Sequence, residues 1–291
     1  MQTFLNTIAF FIFLNTIAFF IFLCYNSDMF EYVHNAIDFA HKLDKASSPK
    51  EDFFKHLHYF YEILFFVKGT VNYTVESETY RLNEGDIVVI PPGRYHFATV
   101  DLSVPYERYV LKFPESVVPD CVREKLAKDS FFYRNCKKFG GMFSQFDSYI
   151  GSYSDEELYS LFLYETGKIM IMLCHEDTTS SIGKNNEFIK KIIDYVDANI
   201  TQPITMQTLA DEFMYSKSFI SIEFKKYMQI PIMQYVRSKK IMAAYQMILS
   251  GAKKSEVAEK FGFETYSTFY RAYKKLILAT EDKSDGESSE D

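Results

Sequence analysis

The stretch SEVAEKFGFETYSTFYRAYKK, Ser255–Lys275, reads as a short helix, a tight turn and a second helix. Ser255–Lys260 forms the first, Phe261-Gly262-Phe263-Glu264 turns, and Thr265–Lys275 forms the second. Helical spacing puts Phe269 and Tyr273 inward and Tyr266, Ser267, Tyr270, Arg271 and Lys274 outward. The same unit occurs earlier as TMQTLADEFMYSKSFISIEFKKYM, Thr205–Met228. There Thr205 caps Met206–Phe213, the chain turns around Met214–Ser216, and a helix from Lys217 to about Met228 buries Phe219, Ile220 and Phe224. That helix carries Lys217, Ser218, Ser221, Lys225 and Lys226 on its surface. Two short helices joined by a tight turn, the second basic and exposed, make a helix-turn-helix pattern. The alternative is an ordinary helical bundle with a solvated basic face, and the duplication argues against it. Between the units, Met233–Ser250 is one helix, a rod of about 27 Å at 1.5 Å per residue. Two recognition helices on such a rod can enter successive major grooves, about 34 Å apart on one face of DNA, particularly where the duplex bends.

Charge at first opposes that partner. The 291-residue chain carries a net −7, with 47% hydrophobic and 18% aromatic residues, enough for packed cores and incompatible with wholesale disorder or a disulfide miniprotein. Divided along the chain, however, residues 1–183 carry −8, residues 184–278 carry +6 and residues 279–291 carry −5. The one basic block is the one with the duplicated helices. Cys24, Cys121, Cys136 and Cys174 are far apart and form no C-x-x-C pair, which fits a reducing cytosol, and a cytoplasmic location is expected.

Residues 1–28 are read separately, because LNTIAFFIF at Leu5–Phe13 recurs at Leu14–Phe22. Leu5–Leu23 approaches the about 20 apolar residues a membrane span needs, yet no Lys or Arg precedes Lys42 to flank it. The expected reading is a dispensable hydrophobic tail or an over-long reading frame with Met29 as the working start; a membrane anchor is the alternative.

From Met29, Phe30–Lys45 is weakly helical and Ala46-Ser47-Ser48-Pro49 breaks it. Residues from His56 to about Phe113 then alternate and turn as β-structure. Ile63–Val67 and Ile87–Ile90 are buried runs, Val71-Tyr73-Val75 is a period-two strand, and Lys68-Gly69 and Pro91-Pro92-Gly93 turn. Short strands at this spacing predict a barrel or sandwich. Ser154 with Asp155-Glu156-Glu157 starts a helix running to about His175, whose Leu158, Phe162, Ile169, Met172 and Leu173 serve either a dimer interface or the core of their own domain. The polar stretch Thr178–Asn186 marks a domain boundary.

Within the β-block, His56-x-His58-x3-Glu62 and His96 could meet inside a barrel, since His56, His58 and Glu62 are separated by even numbers of residues. These residues resemble the two signature motifs of the cupin superfamily, whose metal-binding members use the four positions, although Lys50 and Val100 stand where the motifs open with glycine and close with asparagine. We read His58, Tyr61, Glu62 and His96 as an effector pocket that needs no cofactor and has no catalytic residue. His56, His58, Glu62 and His96 as metal ligands are the alternative, and a metal-dependent cupin enzyme with an accessory helical domain is the rival function.

Residues of about 187–277 resemble the DNA-binding domain of the AraC/XylS family of transcription regulators. The likeness is carried by Leu209-Ala210-Asp211-Glu212-Phe213, by Ser216–Lys226, and by Val257-Ala258-Glu259-Lys260-Phe261-Gly262-Phe263 with Phe269-x-Arg271-x-x-Lys274-Lys275. It implies an α+β multidomain chain. A cupin-like β-barrel with helices over 29–150 senses an effector, 151–183 is a helical dimerisation or linker region, 184–278 is an all-α domain with two helix-turn-helix units, and 279–291 is a disordered acidic tail. It also implies a one-component regulator of double-stranded DNA, often a homodimer, that responds to a small-molecule effector and activates or represses nearby genes, with RNA polymerase as a candidate partner. Ser218, Ser221 and Ile222 in the first recognition helix, and Tyr266, Ser267, Tyr270 and Arg271 in the second, would read bases. Lys217, Lys225, Lys226, Lys274 and Lys275 would hold phosphates. Gln229 stands where the family has glycine after the first recognition helix, and the final G-x-S-P-x-x-Y-R element of the family is absent.

Overall fold

The buried runs Ile63–Val67 and Ile87–Ile90 have no polar alternation because each of their strands is covered on both faces. In the computed structural model, which describes residues 28–34, 37–45, 55–126, 132–176, 186–263 and 265–278, they lie at the centre of the larger of two antiparallel sheets. The strands are β1 Asp28–His34, β2 Ile37–Asp44, β3 Tyr61–Lys68, β4 Val71–Val75, β5 Glu78–Arg81, β6 Ile87–Ile90, β7 His96–Val100, β8 Tyr106–Phe113 and β9 Phe132–Tyr133. One sheet has the order β1-β2-β8-β3-β6-β9, the other β5-β4-β7. Leu64, Phe66, Val88, Ile90 and Val110 face the small sheet's Val71, Tyr73, Val75 and Tyr80 and form the core between the sheets. The intervening residues Ile63, Phe65, Ile87, Val89, Leu111 and Phe113 face the other way, under helices. This is the cupin-like architecture expected, with one correction: Phe30–Lys45 is not helical but supplies β1 and β2. Ile37, Phe39, Ala40 and His41 are all buried there, and the period-two signal is lost.

Helix α1 spans Asp120–Leu126, α2 Gly140–Tyr149 and α3 Asp155–Leu173. Ser154 opens α3 with a capping box closed by Glu157. Leu158, Phe162, Ile169 and Leu173 are buried in the core of the β-domain, with Phe162 4.5 Å from Tyr32 and from Phe146, ring to ring. That stripe therefore serves its own domain. A dimer contact on α3 would have to use the opposite face, where Tyr164 and Ile171 are exposed.

The helical half contains α4 Glu187–Ala198, α5 Met206–Phe213, α6 Lys217–Met228, α7 Ile232–Leu249, α8 Lys254–Lys260 and α9 Tyr266–Tyr273, closed by a π-turn at Lys274–Leu278. Asn186 caps α4 by accepting from the Ile189 amide at 3.2 Å. Ile192, Val196, Leu209, Ile220, Phe224, Tyr235, Ala244 and Phe269 make one core, and Leu57 and Tyr95 of the β-domain are packed into it. Among the described residues no helix is long and apolar enough to cross a membrane. The repeat at residues 5–23, most of the boundary at 178–186 and the tail at 279–291 lie outside the described residues.

Candidate DNA interface, histidine cluster and interdomain seam

Both helix-turn-helix units are built by local capping chemistry. Thr205 accepts from the Thr208 amide at 3.1 Å to start α5, and Met214 ends it in the left-handed conformation, φ 57°. Ser216 then accepts from the Phe219 amide at 3.2 Å and starts α6. In the second unit Gly262, φ 69°, makes the turn, and Thr265 accepts from the Thr268 amide at 3.1 Å to start α9. Gln229 adopts φ 55° at the end of α6, so the turn that favours glycine is kept without one.

The expected DNA-facing residues lie outward. Lys217, Ser218, Ile222, Lys225 and Lys226 of α6 are exposed and Ser221 is half-buried; Tyr266, Ser267, Tyr270 and Arg271 of α9 and Lys274 and Lys275 of the π-turn are exposed. Ile222, 64% exposed, is the kind of side chain that a thymine methyl group would contact. Tyr266 and Tyr270 stack at 5.9 Å, and Arg271 Nε donates to the Ser267 carbonyl at 3.4 Å, which lays the guanidinium along its own helix. Phe219 departs from expectation: it is 42% exposed and stacks on Tyr215 at 4.7 Å with Phe188 beside both. Sequence reading also missed Lys240. Its buried Nζ donates to the Gln202 and Phe261 carbonyls at 2.8 and 2.9 Å, joining the chain after α4 to the turn of the second unit. Burial lowers its pKa. An interior lysine on a helix reads as solvated, and nothing in its spacing marks it as a staple.

In the β-domain, His56, His58, Glu62 and His96 converge, their ligand-capable atoms all within 4.8 Å of one another. His56 reaches the group through a two-residue bridge, its amide donating to the His96 carbonyl at 3.2 Å and its carbonyl accepting from the His96 amide at 3.1 Å, rather than through the strand predicted for it. Glu62 faces the barrel interior from β3. The Nδ1 atoms of His58 and His96 donate to the Phe60 and Arg94 carbonyls at 2.9 and 3.0 Å. Their Nε2 atoms therefore turn toward Glu62 Oε2, at 3.2 and 3.9 Å. His96 Nε2 is buried and has no hydrogen-bond partner. Burial, then neighbouring His56, hold the pKa of His96 well below the usual imidazole value. Burial works against the Glu62 carboxylate, but the His58 hydrogen bond, with the imidazoles and Lys112 around it, outweighs that cost and holds its pKa well down.

Tyr61 does not join them. It is one residue from Glu62 and so on the opposite face, stacked on Phe113 at 5.8 Å in the helix-side core. Tyr73 takes that place: its hydroxyl donates to Glu62 Oε1 at 3.4 Å. The donor set, three imidazoles and a carboxylate around an orphaned buried nitrogen, fits a divalent transition metal.

The cluster adjoins the seam between the two halves. Gly93, Arg94 and Tyr95 run from the β6–β7 turn into His96. The Gly93 amide donates to the His58 carbonyl at 2.8 Å, and a side chain at Gly93 would meet Met242 Cβ of α7 at 3.4 Å. Arg94 Nη1 donates to Asp197 Oδ2 of α4 at 2.8 Å. Tyr95 packs on Tyr235 at 5.2 Å. Glu76, left-handed at φ 52° in the β4–β5 turn, accepts from the Tyr95 amide at 3.2 Å, Tyr235 hydroxyl at 2.8 Å and Lys239 Nζ at 3.4 Å. Lys239 also pairs with Asp197 Oδ1 at 2.9 Å. Burial and the Glu76 charge push the Tyr235 pKa well above its usual value. A cleft of about 330 Å³ opens along this seam, lined by Arg94, Asp197, Lys239 and Met242 among others. A glutamate at a hairpin tip reads as solvated, yet Tyr235 and Lys239 of α7, more than a hundred residues later in the chain, hold it in a buried position.

Comparison with known proteins agrees in both halves. Residues 43–164 match the AraC-like ligand binding domain and residues 209–280 a helix-turn-helix domain. The chain is 22% identical over 231 residues to the HTH-type transcriptional regulator YdiP of Escherichia coli (strain K12), covering 74% of this chain and 75% of that protein. It is 30% identical over 90 residues to the multiple antibiotic resistance protein MarA of the same strain, covering 31% of this chain and 71% of MarA. Coverage of the curated relatives falls as low as 38%, for YkgA of E. coli. Among solved structures, ToxT of Vibrio cholerae O395 aligns over 84% of this chain and 94% of its own, at 13% identity and a TM-score of 0.35. On the duplicated helix-turn-helix units, the two family-model matches and the likeness to MarA, the chain belongs to the AraC family of DNA-binding transcription regulators, with an AraC-like ligand-binding domain ahead of its helix-turn-helix domain.

Proposed function

We propose that the protein is a one-component regulator acting in the cytoplasm, in which a small molecule in the sensor domain changes how two recognition helices engage a promoter. The observation that carries this reading is the pair of capped helix-turn-helix units joined by α7, with every expected base-reading and phosphate-holding side chain at least partly solvent-accessible. Ser218, Ser221 and Ile222 read one major groove, and Tyr266, Ser267, Tyr270 and Arg271 the next. Arg271 is the side chain suited to bidentate recognition of guanine, after it leaves the Ser267 carbonyl. Lys217, Lys225, Lys226, Lys274 and Lys275 engage phosphates and make binding fall with salt. The working unit is a homodimer formed through the outward face of α3, where Tyr164 and Ile171 are exposed, and promoter-bound dimers act on RNA polymerase. The regulator reading is favoured over a cupin enzyme because the sensor's polar cluster adjoins the seam with the DNA-binding half.

The test is a pair of variants on a promoter fragment bound by the protein. Arg271→Ala is expected to cost about 1–3 kcal/mol and relax the preference at one base pair, whereas Lys274→Ala weakens all sequences alike and reduces the salt slope by about 1. Unchanged base preference in Arg271→Ala removes that residue from the reading set.

A further inference from the structure

We infer that Lys240 is the positioning residue that fixes the two recognition helices relative to one another, and so sets the base-pair spacing that the protein selects. This goes beyond the contacts named for α6 and α9 and rests on the reading that both enter the same duplex. Lys240 lies midway along α7 and is 8% exposed, and Val236 and Ala244, one helical turn to either side, are buried in the same apolar core. Its Nζ donates to two carbonyls that belong to different units, Gln202 at 2.8 Å and Phe261 at 2.9 Å. Among the described residues no carboxylate pairs with it. A cation buried without an acidic partner costs stability that a methionine of similar length would not. The ammonium supplies what an apolar side chain lacks, N–H donors that hold their acceptors in place.

Both acceptors sit in defined turns that lead directly into the DNA-binding units. The Gln202 amide donates to the Asn199 carbonyl at 2.8 Å, Pro203 follows, and Thr205 caps α5. Phe261 ends α8 with its amide on the Val257 carbonyl at 3.1 Å, and the Phe263 amide, on the Ala258 carbonyl at 3.1 Å, closes the turn around Gly262. Thr265 then starts α9. A Cβ at Gly262 would stand 3.8 Å from the same Nζ, so the ammonium is seated against that turn. One side chain on the connecting rod thus grips the entry to the first unit and the turn of the second.

Magnitudes show why such a grip matters for spacing. Apolar helix contacts are non-directional and tolerate sliding, whereas an N–H···O bond is lost once stretched beyond about 3.5 Å. The bonds of Lys240 therefore yield by less than about 1 Å. Successive base pairs are about 3.4 Å apart and turn the groove by about 35°. Units held this tightly match one spacing of their two contacts and not the next.

The experiment uses the full chain and two readouts. Spin labels at Ser221→Cys and Tyr270→Cys, with Cys24 and the exposed Cys121 changed to serine, report the distance between α6 and α9. Expected is one narrow distribution that broadens in Lys240→Met and is restored in Lys240→Arg, whose fork of donors serves both carbonyls. Pro203→Gly, on the surface, loosens the segment bearing the Gln202 carbonyl and should broaden it too, even where Lys240→Met fails to fold. The second readout is affinity for a captured promoter fragment with one base pair inserted or removed between the two contacts. The unlabelled wild type should lose about tenfold or more with either change, and Lys240→Met about threefold or less. Ile192→Ala opens a cavity in the same core but leaves the ammonium and both carbonyls in place; it should lower the melting temperature and keep the wild-type spacing preference. Distance distributions unchanged in Lys240→Met and Pro203→Gly overturn the staple. A broadened distribution with the spacing preference intact overturns its link to base-pair selection. If the wild type is indifferent to spacing, the two-groove reading fails, and the distance distributions still judge the staple alone.

Discussion

Glu76→Gln, combined with Tyr235→Phe, probes the seam most closely. The glutamine keeps the volume and an oxygen for the Tyr95 amide but removes the charge. Lys239 is not stranded, because Asp197 remains 2.9 Å away. What is lost is the charge on an acceptor that serves Tyr235 at 2.8 Å and Lys239 at 3.4 Å. Hydrogen bonds to charged groups contribute about 1.5–3 kcal/mol, against about 0.5–1.5 kcal/mol for neutral ones, so the two bonds together lose about 2–3 kcal/mol. Relief from keeping a carboxylate buried returns part of this, and we expect a net destabilisation of about 1–2 kcal/mol. Tyr235→Phe removes the donor of the shorter bond. The assay is urea unfolding of the full chain in a double-mutant cycle, with an expected coupling of about 1 kcal/mol. A coupling below about 0.3 kcal/mol, within the additivity of independent sites, would refute the picture of Glu76 as a charged acceptor clasped by α7.

Other predictions concern the two domains separately. Gln229→Gly removes a left-handed non-glycine residue at the end of α6 and should stabilise the protein by about 0.5–1 kcal/mol in thermal unfolding; destabilisation would mean that the Gln229 side chain contributes more than its backbone conformation costs. Lys240→Met keeps the aliphatic stem but leaves the Gln202 and Phe261 carbonyls without their donor, and should cost about 2 kcal/mol by urea midpoint. His41 lies between Asp147 at 2.8 Å and Glu107 at 3.1 Å. Burial opposes its protonation, but those partners outweigh it and raise its pKa above 6.5. Its stabilising contribution is therefore complete below the unfolded value and lost as pH rises through the folded one; melts from about pH 6 to about pH 8 should show a fall that His41→Gln flattens.

The helical half was legible because its signals are local. Capping residues Thr205, Ser216 and Thr265, the helical period of Phe269 and Tyr273 and the turn at Gly262 all act within a few residues of themselves. The strands β1 and β2 were not legible, since successive Phe39, Ala40 and His41 are all buried and mimic a helix face. In the histidine cluster, the parity rule that joins His58 to Glu62 also excludes Tyr61, so that error was avoidable; Tyr73 comes from another strand and needs the sheet packing to be seen. Glu76, Lys239 and Lys240 are beyond sequence reading because each is charged, and becomes buried only through contacts between segments far apart in the chain.

Capture of genomic DNA fragments by the purified full-length chain, followed by footprinting of the enriched sequence, tests the central claim most directly. The account predicts discrete promoter fragments and a footprint of two contacts in successive major grooves on one face of the duplex, with affinity that falls steeply with salt and with Arg271→Ala changing the preference at one base pair. Retention of all fragments alike, or of none, would contradict it.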